Sequence, residues 1–317
     1  MLLILTACLH EIPAYAPERP PPALAEVFDR QDHPLVYDEA LARRQDGDFE
    51  GAVHRLGWLL EVGADPQEIH YQLGIVHELQ GEHDLAVSAY TEALETEGAR
   101  TVDARYRRAL CLDELGRWKE SVREYRKIPR LVDYERVDWI SIEMAQGVAE
   151  QRAGNRRRGE EMLDRAMRAT EDTDEMRWLR ARTAYHLATM ELEAVEDLRL
   201  DKRKPEKNLA RRAAAIQTAE AHIIEVIETE EPEWMIRSLL VLGDAYIELY
   251  DDMHDTPPAE LEGEALELYY ELLDEQTLVL LQKAYTSYDQ GLVVASKYRL
   301  YNSTTELLQA RRDAIAL

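Results

Sequence analysis

The chain has 317 residues, and its 38 Lys and Arg against 63 Asp and Glu side chains give a formal net charge of −25 at pH 7. A charge of this sign argues against nucleic acid or an anionic membrane as a surface ligand, because both would be repelled. Aromatic residues make up 7% of the chain, and Ala, Leu, Glu and Arg dominate. This composition favours helices over strands.

The first residues are apolar and lead into a cysteine. Leu5 to Cys8 have the sequence Leu-Thr-Ala-Cys, which is similar to a bacterial lipobox, where the chain is cut before a lipid-modified cysteine. We predict a truncated-looking lipoprotein signal segment at 1–7, lipidation at Cys8, and a tether at 8–30, where five prolines favour extended geometry. The segment lacks the basic start of a signal peptide, so an untargeted N-terminus is the alternative.

Glycines recur at nearly equal intervals in the next part of the chain. Their spacings are 34, 35 and 38 residues, for Gly47, Gly81, Gly116 and Gly154. A small residue stands seven positions before each of them: Ala40, Gly74, Ala109 and Gly147. Small residues at a fixed distance from a turn predict helical hairpins whose two helices cross closely at those points.

The segment Gln67–Gly98 resembles a tetratricopeptide repeat (TPR), a helical hairpin of about 34 residues. Leu73-Gly74, Gly81, Ala86, Tyr90 and Ala93-Leu94 stand in the spacing of that family. The resemblance implies an all-α fold, a right-handed α-solenoid of TPR-like helical hairpins with roughly six or seven units. We place regular repeats at 31–170 and degenerate TPR-like hairpins with inserted loops at 171–317.

The second half of the chain keeps the pattern with more drift. Helices are predicted at Ala181–Glu193, Leu209–Thr229 and Ser238–Leu249, the last with Leu242-Gly243 in the family's spacing. Polar stretches at 196–208 and 251–264 predict the two inserted loops. A partner helix is expected after the second loop, and Gln282–Leu317 is interpreted as one last pair, broken near Tyr301.

Motifs for catalysis are missing from the sequence. It contains no Gly-rich phosphate loop, no Gly-x-Ser-x-Gly elbow and no His-Glu-x-x-His. We therefore predict no enzyme activity, no cofactor, no metal site and no small-molecule substrate. His70 and His77 share a helical face, and Cys111 lies in a predicted helix; all three are interpreted as packing residues.

The resemblance also implies a binding surface. In TPR proteins, positions 2, 5, 9 and 12 of each first helix face a concave groove that holds a protein or peptide segment. The candidate groove residues are Tyr37, Arg44, Tyr71, Ile75, Glu78, Tyr106, Asp113, Met144 and Tyr185. Tyrosine rings offer large contact area at low entropic cost. The alternative is that these tyrosines pack between adjacent first helices.

Charge narrows the expected partner. Arg44 is the basic candidate in the groove, and Glu78 and Asp113 are expected to repel carboxylates, which argues against a clamp for chaperone C-termini and favours a segment with some basic character. The sequence predicts a non-enzymatic scaffold: an outer-membrane-anchored periplasmic TPR lipoprotein in an envelope assembly or transport complex, with membrane contact only through lipid at Cys8. The alternative is a cytoplasmic TPR adaptor or regulator without a lipid anchor.

Overall fold

A computed structural model describes residues 33–129, 136–170, 176–196, 198, 205–255 and 261–315, and within these ranges it contains helices and no strand. The helices are α1 (His33–Gln45), α2 (Phe49–Glu61), α3 (Pro66–Leu79), α4 (His83–Ala93), α5 (Thr101–Glu114), α6 (Trp118–Tyr125), α7 (Arg136–Arg152), α8 (Arg156–Ala169), α9 (Arg177–Glu193), α10 (Pro205–Glu228), α11 (Pro232–His254), α12 (Glu264–Tyr298) and α13 (Ser303–Asp313). The predicted signal segment, Cys8 and the tether lie outside the described residues.

The chain forms two compact units, Met1–Gly159 and Glu160–Leu317. In the first unit, α1 packs with α2, α3 with α4, and α5 with α6. Within each hairpin, the first helix is called the A helix and the second the B helix. The prediction of an all-α fold of TPR-like hairpins is confirmed.

The turns and caps of the first unit follow directly from the sequence. The four recurring glycines adopt φ between 68° and 93°, a range that side chains with a Cβ rarely enter. The Asp48 side chain accepts a hydrogen bond from the Gly51 amide at 3.1 Å and so caps α2. Asp65 caps α3 in the same way, with Pro66 at the first helical position.

The hairpins of the first unit cross where the sequence places small residues. Ala40, Ala52, Ala86 and Ala109 are each at most 1% exposed. A Cβ added at Gly74 would overlap the ring of Tyr90 in α4. The predicted close crossing of A and B helices is therefore confirmed.

The second unit contains the hairpins α9–α10 and α11–α12, with α13 packed on both α11 and α12. The predicted start of a new pair at Gln282 is wrong, because α12 runs without a break from Glu264 to Tyr298. It ends at Arg299, whose φ of 57° stops the helix. The expected break near Tyr301 is present, since Asn302 caps α13 through the Thr305 amide at 3.0 Å.

Among the described residues, no helix combines the length and the apolar character needed to span a bilayer.

Candidate functional site

Positions in each A helix are numbered so that the small crossing residue is position 8. The side chains at positions 2, 5, 9 and 12 of α1, α3, α5 and α7 form a surface that we call the A-helix face. The Tyr37 hydroxyl of α1 donates to Glu68 of α3 at 2.5 Å. Arg107 of α5 donates to Glu78 of α3 at 3.2 Å. These bonds tie neighbouring A helices together, so the face continues from one hairpin to the next.

At position 5 of α3, α5 and α7, the three residues predicted to line a groove are part of the core. Tyr71, Tyr106 and Met144 are 2%, 4% and 0% exposed. Tyr71 packs against Tyr90, and Tyr106 against Tyr125, each with ring centroids 6.1 Å apart. The structure therefore shows a packing role, although the partner ring comes from the B helix of the same hairpin and not from the adjacent A helix. A binding role for these three stays a prediction.

A first polar network joins α1 and α3 around Glu68. Gln72 donates to Glu68 at 2.8 Å and to the Tyr37 hydroxyl at 3.1 Å, and Arg44 donates to Gln72. Arg100 donates to the Glu68 carboxylate at 2.6 Å and 3.1 Å. Burial opposes ionisation of Glu68, but the hydrogen bonds from Arg100, Tyr37 and Gln72 outweigh it and lower its pKa. Burial, together with the bond to Glu68, raises the pKa of Tyr37 to about 12.

A second polar network joins α3, α4 and α5 around Arg107. The Nη1 atom of Arg107 lies 3.2 Å from both carboxylate oxygens of Glu78, and its Nε atom lies 3.7 Å from Asp103. The hydroxyls of Tyr71 and Tyr90 donate to Asp103 and Glu78. Burial alone would lower the pKa of Arg107, but attraction to Glu78 and its neighbours raises it. These charges are thus compensated inside the protein.

The acidic residues at position 12 have a structural partner that sequence reasoning missed. Tyr90 donates to Glu78 at 2.7 Å, and Tyr125 donates to Asp113 at 2.8 Å, with 12 residues between the members of each pair. The expectation that Glu78 repels an incoming carboxylate needs correction, because Arg107 already neutralises it. The repeated spacing of 12 was the available sequence signal.

Known proteins with the same repeat match the chain. A family model described as tetratricopeptide repeat matches residues 37–100 and 80–135. The chain is a tetratricopeptide-repeat protein. No curated protein matches it.

Three solved structures illustrate the likeness of this TPR protein. The apo form of RapI is 11% identical, with 84% of this chain and 99% of that chain covered and a TM-score of 0.53, which shows the fold alone. A TPR protein from Parabacteroides merdae ATCC 43184 is 15% identical, over 89% of this chain and 99% of that chain, with a TM-score of 0.47. MamA from Desulfovibrio magneticus RS-1 is 20% identical, over 64% and 96%, with a TM-score of 0.47.

The TPR register shows which side chains of the A-helix face remain accessible. At position 9, Leu41, Leu110 and Val148 are half-buried, whereas Ile75 is 8% exposed. The side chains of Arg100 and Asp103 beside them are 41% and 40% exposed. Tyr37 and Arg44 are also half-buried. The accessible part of the face is therefore an aliphatic row with charges of both signs.

Tyr185 belongs to the second compact unit. Its ring centroid lies 5.3 Å from that of Trp234 and 5.4 Å from that of His186. Trp234 is 4% exposed, so this cluster is anchored in the core of that unit. Half-buried Tyr185 is the part of the cluster that the sequence predicted as a contact residue.

Cys111 and His77 are two other potentially reactive side chains considered from the sequence, and both have neighbours within the protein. Cys111 is 1% exposed, and burial raises the pKa of its thiol. The Nδ1 atom of His77 lies 2.8 Å from Glu82. Within the described ranges, no three His, Cys, Asp or Glu side chains are grouped as metal ligands. The accessible A-helix face is the candidate functional surface of the first unit.

Proposed function

We propose that this TPR protein is a non-enzymatic interaction scaffold whose A-helix face holds a segment of a partner protein. The observation that carries the proposal is an aliphatic side chain at position 9 of every A helix of this face: Leu41, Leu110 and Val148 are half-buried, and the more deeply buried Ile75 of α3 lies between the first two in the series. Aliphatic positions that recur from helix to helix suit a partner segment that lies across the repeats. The generally protein-binding character of TPR folds supports the same reading.

Compensated charge beside this row indicates the chemistry of the segment. The accessible parts of Arg100 and Asp103 present one charge of each sign. A segment with both apolar and mixed charged side chains fits such a surface better than a uniformly acidic or basic one. The basic character expected from sequence therefore becomes a mixed character, because Arg100 and Arg107 balance Glu68 and Glu78.

Photo-crosslinking tests this site at half-buried positions of the A-helix face. A benzophenone amino acid is placed at Leu41 or Leu110 on the A-helix face and, as a control, at Leu85 of α4, which is 50% exposed. We expect a protein adduct from the first two positions and none of the same mass from Leu85. Adducts that form equally from Leu85, or adducts absent from both A-helix positions, contradict the proposal.

Alanine at the buried tyrosines is a poor test of binding. Tyr71 and Tyr106 are core residues, and truncation of a buried aromatic ring costs about 3–5 kcal/mol. Loss of binding in such a variant would report unfolding as readily as a lost contact. The crosslinking positions avoid this difficulty because they retain a large apolar side chain.

We also propose that the scaffold acts in the cell envelope, as an outer-membrane-anchored periplasmic lipoprotein of an assembly or transport complex. The lipobox-like Leu5–Cys8 and the prolines after it support this location. Labelling of cells with a fatty-acid probe tests for the lipid anchor, by comparing the label on the wild-type chain with that on Cys8→Ser. Loss of label in the variant supports the anchor, and equal labelling favours the cytoplasmic adaptor.

A further inference from the structure

α12 is apolar on two opposite faces. One face carries Leu273, Thr277, Ala284 and Tyr288, which are buried in the second unit. The other carries Leu268, Leu272 and Val279, which are 55%, 50% and 51% exposed. Their spacing of four and seven residues places the three in one row along the helix. A helix needs one apolar face to pack in its own fold, so the second row is left over.

An acidic row runs beside these exposed side chains. Glu264, Glu267, Glu271 and Glu275 are exposed and follow one another at spacings of three and four residues. The sequence has no Lys or Arg between Arg237 and Lys283, although 12 Asp and Glu residues lie in that interval. The α12 surface therefore combines an apolar row with a row of negative charges, and no Lys or Arg stands near it in the sequence to balance them.

The TPR register shows that this surface is an addition to an ordinary repeat. Ala284, Tyr288 and Gly291 of α12 have the spacing of Ala86, Tyr90 and Ala93 in α4. As at Gly74, a Cβ added at Gly243 of α11 would overlap a tyrosine ring, here that of Tyr288.

The C-terminal half of α12 is thus the B helix of the α11 hairpin. Tyr288 follows Gly243 by 45 residues, whereas Tyr90 follows Gly74 by 16. The added residues, which carry Leu268 to Val279, lie between the A and B helices of one repeat and lengthen both of them.

We infer that this added surface, formed by Leu268, Leu272 and Val279 with the acidic row beside them, binds a basic amphipathic helix of a partner protein. Leu268 to Val279 span roughly 17 Å at 1.5 Å per residue, which matches about three turns of a helix. A leucine row on the partner covers the apolar row, and a flanking Lys/Arg row meets the glutamates. A second copy of the chain would bring the same acidic row to the contact, and like charges argue against it.

A binding measurement with a defined probe tests the inference. The probe is a fluorescent synthetic helix of about 15 residues with one Leu row and one Lys/Arg row, compared with a peptide in which Glu replaces every Lys and Arg. At about 0.15 M salt we expect the full-length protein to bind the basic peptide and not the acidic one, with affinity falling as salt is raised to about 1 M.

Two variants separate the surface from general attraction to an acidic protein. Leu268→Gln/Leu272→Gln changes no charge and is expected to weaken binding about tenfold or more. Val293→Gln is the matched control: it is 61% exposed on the same outer side of α12, beyond the acidic row, and leaves affinity unchanged. Equal affinity of all three proteins overturns the inference.

Further outcomes are also decisive. Glu267→Lys/Glu271→Lys lowers affinity for the basic peptide, and unchanged affinity contradicts the role of the acidic row. Sedimentation across protein concentrations detects self-association; a dimer that Leu268→Gln/Leu272→Gln abolishes assigns the surface to a second copy and overturns the partner proposed here. Crosslinks from Leu41 and Leu110 are independent of every one of these results.

Discussion

Gly74 and Gly243 stand where an A helix meets a tyrosine ring of its B helix. A Cβ at either position would overlap the ring of Tyr90 or Tyr288, and both rings are fully buried. Each ring is also held at its far end, since Tyr90 donates to Glu78 at 2.7 Å and Tyr288 to Asp244 at 2.8 Å. A ring fixed at both ends has little room to move.

Gly74→Ala is therefore expected to destabilise the first unit by about 1–3 kcal/mol through overpacking, measured as the change in the free energy of unfolding in urea. The control is Gly57→Ala in α2, where an added Cβ meets nothing within 4 Å. This control is expected to gain up to about 1 kcal/mol from helix propensity. A neutral result at Gly74 contradicts the close crossing described for this hairpin.

Single side chains also show where sequence reasoning ends. The small residue at Gly74 could be predicted, because crossing distance depends on the size of one side chain at a fixed place in the repeat. The partners of Glu78 could not, because they come from Tyr90 on the next helix and Arg107 on the next repeat. The pattern places a residue on a face but leaves the direction of its carboxylate open. The burial of Tyr71 could not be predicted for the same reason, because its ring packs against Tyr90 on the next helix.

Among the helices, the regular hairpins were predictable and α12 was not. Turn glycines and capping aspartates act within a few residues, so they locate α2, α3 and α4 from sequence. The α11–α12 hairpin separates its crossing residues Gly243 and Tyr288 by 45 positions, and a search at the usual spacing misses the pair.

The predicted loop at 251–264 is shorter than expected, because α11 continues to His254 and α12 begins at Glu264, with 256–260 outside the described residues. The predicted loop at 196–208 also ends early, because α10 begins at Pro205.

Excision of the added residues tests this register. Deletion of 251–279 makes Tyr288 follow Gly243 by 16 residues, as Tyr90 follows Gly74. In the same variant, Tyr250→Gly supplies the turn glycine seven residues after Gly243. We expect a folded, helical protein that melts cooperatively, because Ala284, Tyr288 and Gly291 keep their contacts with α11 and α13.

Deletion of 247–275 removes the same number of residues and joins the helices in the same phase, and it serves as the matched control. It deletes the buried Leu249, which the first deletion keeps, and it retains Val279, so it disturbs the core contact near the junction. Far-UV circular dichroism and thermal melting compare the two proteins. Failure of the 251–279 deletion to fold, with the control folded, contradicts the assignment of α12 as the B helix.

The whole molecule depends on tyrosines that must keep their protons. Burial raises the pKa of Tyr37 and of Tyr246 to about 12, each with help from a bonded carboxylate. Burial also raises the pKa of Tyr71, Tyr90 and Tyr288 above the ordinary value. Both units therefore contain tyrosines of this kind. In the unfolded chain these hydroxyls ionise near pH 10.

Stability is accordingly expected to fall as pH rises above about 10. Between the unfolded and folded pKa values, the unfolded chain has lost protons that the folded chain keeps, so the free energy of unfolding decreases with pH. Parallel titrations of tyrosinate absorbance and helical circular dichroism measure this. We expect the buried tyrosines to ionise together with the loss of helix; full ionisation near pH 10 with intact helices contradicts the expectation.

Matched tyrosine variants refine the alkaline titration. Tyr90→Phe keeps the ring and removes one ionising group, so the midpoint of alkaline unfolding moves to higher pH. Tyr301→Phe changes a side chain that is 81% exposed and is expected to leave the midpoint in place. An equal shift in both variants would mean that burial of Tyr90 does not set the alkaline limit.

The added part of α11 and α12 begins and ends within one hairpin, between residues that keep ordinary TPR contacts. Gly243 and Tyr288 meet as Gly74 and Tyr90 do, so the hairpin accepts the extra length without a change at its crossing. We therefore expect that the added residues can be moved to another hairpin. Residues 251–279, spliced between α3 and α4 in the same helical phase, are expected to carry the proposed binding surface into a regular repeat.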